Sequence, residues 1–496
     1  MRNLYYILAL STAVTVLSSC VNNWLDTTPS TSVPSNTAIS NYNDATAALA
    51  GMYDGLQGNS TYTHYYAARM FYYGDVRGDD MQARDQGMRT SPCYEMRYKA
   101  DDAPNMWNVQ YNVIRRANNL IQALRNGQVT DASEEEIGNY EAQALTVRAL
   151  VHFDLVKVYG MPYTTDNGAS MGVPVVTTIL DGTATPGRNT VKEVYEQIIT
   201  DLTDAINSGY LSEKQTQGYI NLWAAKALLC RVYLYMNENQ KAFEVAENII
   251  AHSPYTLWSN DQYVAAWNKD DAAHAKELIF EIINFNSDDW ADREGIAYLY
   301  NEDGYADAIC TKSFVDMMSQ DPKDIRLDVI LPAQYDEKLI AKYGENKIFI
   351  NKFPARVSDG EMRENNLPIL RLSEVYLNAA EAAAKLNDKS NTVKYLDPIV
   401  NRANSDKHIT EAEATLDRVL IERRKELVGE GQRFFDAMRN NETIIRYTNE
   451  TNKGWHYSLD KESQQFDRTY FRALLPIPVS ETNANPTLKG EQNPGY

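Results

Sequence analysis

Asn221-Leu222-Trp223-Ala224-Ala225-Lys226-Ala227-Leu228-Leu229-Cys230-Arg231-Val232-Tyr233 is followed by a turn at Asn237-Glu238-Asn239, then by Ala242, Ala246 and Pro254, and this stretch decides how the chain is built. Apolar side chains recur every three or four residues on both sides of the turn, the period of a helix face. The stretch predicts two antiparallel helices, 219–236 and 240–252. Small side chains at Cys230, Ala242 and Ala246 let them approach closely. A second hairpin reads as 371–387 and 391–404, with Ala379, Ala380, Ala382 and Ala383 as a similarly small face. Outward from these, Trp107, Tyr111, Ile114, Ala117, Ile121 and Leu124 mark a helix in 104–125. Leu145, Ala149, Phe153, Val156 and Tyr159 mark another in 134–159, stopped by Gly160 and Pro162. Further helices run over about 42–56, through Val191 to Ile206, and over 411–439. Residues 58–102 lack a clear period and read as ordered loop. Gly172–Val176 and Leu278–Ile283 are the best strand signals.

Leu229, Cys230, Tyr233, Ala242, Ala246 and Pro254 hold the offsets of a tetratricopeptide unit. The expected fold is mainly α: a tetratricopeptide-like helical hairpin stack with a loop-rich subdomain on one side and minor β structure. Such stacks are stabilised by neighbour contacts and present concave surfaces. The 496 residues, 44% hydrophobic and 23% charged, are of globular composition. Acidic residues number 67 against 48 basic ones, which argues against a nucleic-acid partner and against electrostatic docking on an anionic membrane. Tyr outnumbers Phe 33 to 12, and Tyr joins a flat apolar face to a hydroxyl, which suits wet binding surfaces as well as cores.

Arg2 begins a short positive region, and Leu4–Leu17 is a mostly apolar run. A helical bilayer span needs about 20 residues, so the run fits a secretory signal instead. Leu17-Ser18-Ser19-Cys20 resembles a bacterial lipobox, whose Cys is acylated; several acyl chains anchor firmly where one is marginal. The expected organisation is a lipoprotein signal peptide (1–19), a tether lipidated at Cys20 (20–40), an N-terminal region with helical hairpins (41–260) and a C-terminal region (261–496). Cys230 lies in a helical apolar pattern and is expected as a buried free thiol, whereas pairing of Cys93 with Cys310 stays open.

Catalytic signatures are weak. Gly168-Ala169-Ser170-Met171-Gly172 matches G-x-S-x-G, but a polar loop precedes it and Pro174 follows, so the strand-to-helix elbow that the mechanism needs is missing. The six histidines are scattered, and His152 reads as a satisfied, partly buried side chain. No H-E-x-x-H, Walker A or G-x-G-x-x-G motif occurs. Asp75, Asp79 and Asp80 have three readings: solvated loop charge, a calcium ligand set, or acceptors for a polar ligand. No cofactor is implied, with calcium left open. Aromatic residues concentrate just before this acidic loop (Tyr62, Tyr65, Tyr66, Phe71, Tyr72, Tyr73) and in a second irregular stretch (Trp290, Tyr298, Tyr300, Tyr305). A sugar has an apolar CH face and a hydroxyl rim, which ring platforms and Asp or Arg groups complement. Candidate ligand contacts are therefore Tyr72, Tyr73, Asp75, Arg77, Asp80, Trp290, Tyr298 and Tyr300.

Several motifs in order resemble the SusD/RagB family of outer-membrane lipoproteins. They include Trp24-Leu25-Asp26-Thr27-Thr28-Pro29, Tyr159-Gly160-Met161-Pro162 and Leu370-Arg371-Leu372-Ser373-Glu374-Val375-Tyr376. The most specific are Ile421-Glu422-Arg423-Arg424-Lys425-Glu426-Leu427 with Glu430-Gly431 and Arg433-Phe434-Phe435-Asp436, and Leu475-Pro476-Ile477-Pro478 with Asn493-Pro494-Gly495-Tyr496. From the residues alone, Glu422, Arg423, Arg424, Glu426, Glu430 and Arg433 are expected to form a structural ladder of ion pairs along a helix, with Gly431 permitting a break. The resemblance implies a non-enzymatic lipoprotein that captures oligosaccharides, or peptides in some members, and delivers them to a SusC-like TonB-dependent outer-membrane transporter. It implies a ligand site on the irregular subdomain, but no ligand residue is a shared motif of the family. The rival from another class is a lipid-anchored helical glycoside hydrolase, which needs two carboxylates across a cleft.

Overall fold

The computed structural model describes residues 38–58, 65–85, 88–284, 295–330, 348–356, 358, 360–362 and 365–496. The signal peptide, Cys20, most of the tether, Tyr62 and Trp290 lie outside the described residues. The long helices are α1 (Tyr42–Gln57), α2 (Arg69–Val76), α3 (Trp107–Arg125), α4 (Glu134–Tyr159), α5 (Val191–Asn207), α6 (Leu222–Tyr235) and α7 (Asn239–His252). After the short α8 (Ile296–Tyr300) come α9 (Leu372–Lys385), α10 (Lys389–Ala403), α11 (Leu416–Leu427) and α12 (Arg433–Arg439). Starts are written locally. Ser133 with Glu136 and Thr190 with Glu193 form reciprocal capping boxes on α4 and α5, and Asn221 caps α6.

Neighbouring helices pack in sequence: α1 on α3, α3 on α4, α4 on α5, α5 on α6, and α6 on α7. α9 then packs on α7 and carries α10 and α11 on its flanks. The expected close approach of α6 and α7 is present: Ala242 and Ala246 are fully enclosed, and the Cys230 thiol donates to Ala242 O at 3.3 Å. Cys93, Cys230 and Cys310 are all free and buried, so the pairing left open for Cys93 and Cys310 is not formed.

Among the described residues, three two-stranded antiparallel sheets supply the minor β structure. β1 (Met81–Ala83) pairs with β3 (Ala308–Cys310), β2 (Leu278–Ile282) with β4 (Leu367–Arg371), and β5 (Ile444–Ile445) with β6 (Gln465–Phe466). The strand expected at Gly172–Val176 does not form. An isolated bridge, Met171 to Thr190, and hydrogen bonds of Gly172 and Val173 with Asn189 join it to a neighbour, and no ladder continues past Pro174, which has no N–H. Residues 58–102 are more regular than the missing period suggests, since α2, β1 and a short helix at Ser91–Glu95 occupy them. The single helix expected over 411–439 is two helices. Gly429 (φ +80°) and Gly431 (φ +71°) adopt left-handed backbone between α11 and α12.

The acid–arginine motif on α11 also departs from expectation. Only Glu422 pairs along the helix, with Arg418. The other groups reach across the fold. Glu426 meets Arg402 at 2.6 Å and Arg371 at 2.8 Å, and Glu430 meets Lys352 at 2.6 Å and Arg371 at 2.8 Å. Arg424 reaches Asp80 at 2.5 Å, and Arg433 reaches Asp79 at 2.6 Å. These groups are largely enclosed, so each charge needs a partner near it, and the long guanidinium arms find partners from distant segments.

Candidate functional site

The tyrosine- and acid-rich loop and the second irregular stretch are brought together, as expected, but most of their candidate residues face inward. Tyr72, Tyr73, Asp75, Arg77, Asp80 and Tyr300 are all buried. Tyr300 Oη donates to Asp75 Oδ2 at 2.8 Å, and the Gly431 N–H donates to Asp75 Oδ1 at 3.0 Å. Burial pushes the Asp75 carboxyl up to about 8. The Arg77 guanidinium is sandwiched between the rings of Tyr73 (4.2 Å) and Phe434 (4.1 Å) and donates to Arg472 O. Tyr72 Oη accepts from Arg69 Nε at 3.0 Å. Asp79 is held down to about 2; burial opposes this, but the Arg433 and Arg424 guanidiniums beside it prevail. None of the three readings of the aspartate cluster describes it: the carboxylates are interior partners of arginine and tyrosine. All six are buried in this structure, and the polar groups of Tyr72, Asp75, Asp80 and Tyr300 are engaged by protein groups inside the fold. The interior of this subdomain needed charge-pairing and ring-packing groups of the same types that a surface site uses.

Tyr298 is the exception. It sits half-buried on α8, whose first N–H, at Ile296, donates to Ala67 O at 2.8 Å and so ties the two irregular stretches together. After α8 the chain folds straight back. The Asp303 N–H donates to Asn301 Oδ1 at 2.9 Å, and the Tyr305 N–H donates to Tyr298 O at 2.6 Å. Glycine is required at the bend, since a Cβ on Gly304 would lie 2.3 Å from Tyr298 O. This loop sets the Tyr298 and Tyr305 rings 6.2 Å apart, inclined by 51°. Tyr305 is 36% exposed, and the Arg89 guanidinium carbon lies 3.7 Å from its ring centroid. β1 and β3 fix the opposite wall. Past their last pair, the Arg84 N–H donates to Asp307 O at 2.8 Å, the Arg89 N–H donates to Asp307 Oδ2 at 2.8 Å, and Arg84 Nε donates to Ala306 O at 2.6 Å. The outcome is a surface patch of two inclined rings, one capped by a guanidinium, with exposed Asp85 and Asp303 nearby in the chain. Apolar ring faces next to charged donors and acceptors match the CH face and hydroxyl rim of a sugar.

Tyr305 belonged to the aromatic stretch read from the sequence, but Arg84 and Arg89 did not enter the candidate set. Their signal was only two arginines flanking the end of the acidic loop, and their placement depends on Asp307, more than two hundred residues away. Ser170 serves no elbow. Its carbonyl accepts the Val191 N–H at 2.8 Å, so the G-x-S-x-G segment clasps the start of α5. His152 is buried, takes the Val176 N–H at Nε2 (3.2 Å) and is held down to about 3 by burial and by Arg148. Among the described residues no group of three or more His, Cys, Asp or Glu side chains is arranged to hold a metal ion, and no helix is long and apolar enough to cross a membrane.

Two family models match the chain: the SusD family over residues 192–496, and a family described as starch-binding and associating with the outer membrane over residues 23–234. A solved structure of a protein proposed to bind sugar, from Bacteroides vulgatus ATCC 8482, is 37% identical, with a TM-score of 0.84, covering 93% of this chain and 100% of that one. A laminarin-binding SusD-like protein shares the fold at 24% identity, with a TM-score of 0.70, over 92% of this chain and 100% of its own. SusD-like protein P38 of Formosa agariphila is 23% identical over 86% of this chain and 90% of its own length.

Proposed function

The chain belongs to the SusD family, and on that premise we propose that it captures oligosaccharides and delivers them unaltered to a SusC-like TonB-dependent transporter in the outer membrane. Acyl chains on Cys20 hold it to that membrane, facing the cell exterior. The observation that carries this reading is the pairing of half-buried Tyr298 with exposed Tyr305, with Arg89 over the Tyr305 ring, on the irregular subdomain. Relatives whose names speak of sugar or laminarin support the ligand class. A hydrolase would need two carboxylates poised across a cleft. Asp75, Asp79 and Asp80 of the tyrosine-rich loop are instead engaged by Tyr300, Arg433 and Arg424, which supports binding without chemistry.

A glycan array on the purified full chain, followed by calorimetry with the best oligosaccharide, tests this. Tyr305→Ala and Tyr298→Ala should each weaken binding about tenfold, the equivalent of about 1.4 kcal/mol, with the helical circular dichroism unchanged. Sugar fragments appearing at a rate proportional to protein would overturn the non-catalytic reading. Glycan affinity untouched by both variants would overturn the site.

A further inference from the structure

A groove of about 510 Å³ opens on the other side of α3, between that helix, the 173–186 segment and the C-terminal helix Val479–Ala484. Its floor is formed by Trp107 and Tyr111, whose rings lie 4.9 Å apart, and its lip by Ile179 and Leu180, both exposed. The polar atoms of the floor are already engaged. Tyr111 Oη donates to Pro174 O at 2.8 Å, and Asn485 donates to Pro186 O and accepts the Thr487 N–H. A neutral polyhydroxyl ligand would find few open partners, and Trp107 is too enclosed to serve as a stacking platform. The groups left open are of another kind. The Glu481 carboxylate, half-buried at the groove, has no hydrogen bond or ion pair among the described residues, and burial alone holds its pKa above the usual range. Arg115, on the facing helix, is exposed and, among the described residues, donates only to Asn112 Oδ1, at 2.9 Å.

One unpartnered carboxylate, one guanidinium without an acid, and aliphatic walls describe a zwitterion with apolar side chains. The volume lies in the range of a small-molecule site, about 300–1,000 Å³. We propose that this groove is a second binding site, separate from the tyrosine patch, for a free di- or tripeptide with apolar side chains. The peptide's ammonium pairs with Glu481, its terminal carboxylate pairs with Arg115, and its side chains cover Tyr111, Ile179 and Leu180.

The probe is the tripeptide Leu-Leu-Leu, titrated calorimetrically into the full chain in detergent, with its N-acetylated form as control. Saturable binding of the free peptide is expected. It should weaken about tenfold in Glu481→Gln and on acetylation, and vanish in Ala484→Trp, which fills the groove from an exposed position. Tyr305→Ala should leave peptide binding unchanged. The proposal is overturned by an absence of saturable binding, by equal affinity for free and acetylated peptide, or by peptide binding that is lost in Tyr305→Ala and kept in Ala484→Trp. Because glycan binding is read at the tyrosine patch, either site can fail without the other.

Discussion

Burial makes the Asp75 carboxyl hold its proton far more tightly than in water, although the Tyr300 hydroxyl and the Gly431 amide donate to it and pull the other way. In the unfolded chain it ionises near 3.8, in the fold near 8. Between those values the folded state carries a proton that the unfolded state has released, so this residue lowers stability as pH rises. Asp75→Asn imitates the protonated form: its amide oxygen accepts from Gly431, and its NH₂ donates to Tyr300. Denaturant titrations should therefore show the variant gaining on the parent between pH 5 and 8, by at least about 1.4 kcal/mol, the worth of one pKa unit. A parent that gains on the variant as pH rises would refute the buried-acid account. The same residue shows what could not be read from sequence. Tyr72, Tyr73, Asp75 and Arg77 alternate rings and charges as a binding loop would, and their inward orientation is decided by Phe434, Gly431 and Arg472, roughly 350–400 positions further on.

At the scale of elements, periodicity and punctuation were sufficient wherever one helix supplies its own pattern. The predicted 134–159 helix is α4 to the residue, because Ser133 and Glu136 start it and Gly160 ends it. Elements completed by distant partners were not legible: β1 is three residues long and exists through β3, with Met81 opposite Cys310. The glycines joining α11 to α12 stand between these cases. A break at Gly431 was foreseeable, but not its reason. α2 crosses this turn so closely that a Cβ on Gly74 would lie 1.9 Å from Gly431 O, backbone that cannot swing away as a side chain can. Gly74→Ala should accordingly destabilise the protein by about 3–5 kcal/mol, an overpacking effect at the upper end for a single methyl. Gly182→Ala, with nothing near its Cβ, should be close to neutral. Equal melting temperatures for the two variants would show that α2 and the turn are not locked together.

For the whole molecule, the argument concerns how the regions 41–260 and 261–496 hold each other. A single apolar cluster runs from Ile39 to Leu488, and α9 packs on α6 and α7 from the earlier region. Charged clamps join the same two regions: Asp79 with Arg433, Asp80 with Arg424, and Glu374 with Arg231. The C-terminal motif is thus legible as a family signature in sequence, while its physical role, clamping distant segments, depends on partners that only the fold brings near. The Arg433 and Arg424 guanidiniums hold Asp79 down to about 2, against 3.8 ordinarily, although burial alone would raise it. Glu422, held down to about 2 in the same way, is paired within the later region by Arg326 and Arg418. For such depressed acids the unfolded state takes up protons first, so their stabilisation is complete above the ordinary values and is lost as pH falls toward 2. Because the clamps bridge the regions and the core is shared, acid should unfold both together. Helical circular dichroism and tryptophan fluorescence followed from pH 5 to 2 should trace one coincident transition, and moderate salt should move it little, since enclosed pairs are weakly screened. Two separated transitions would mean that the regions fold independently and that the arginine clamps stabilise each half alone.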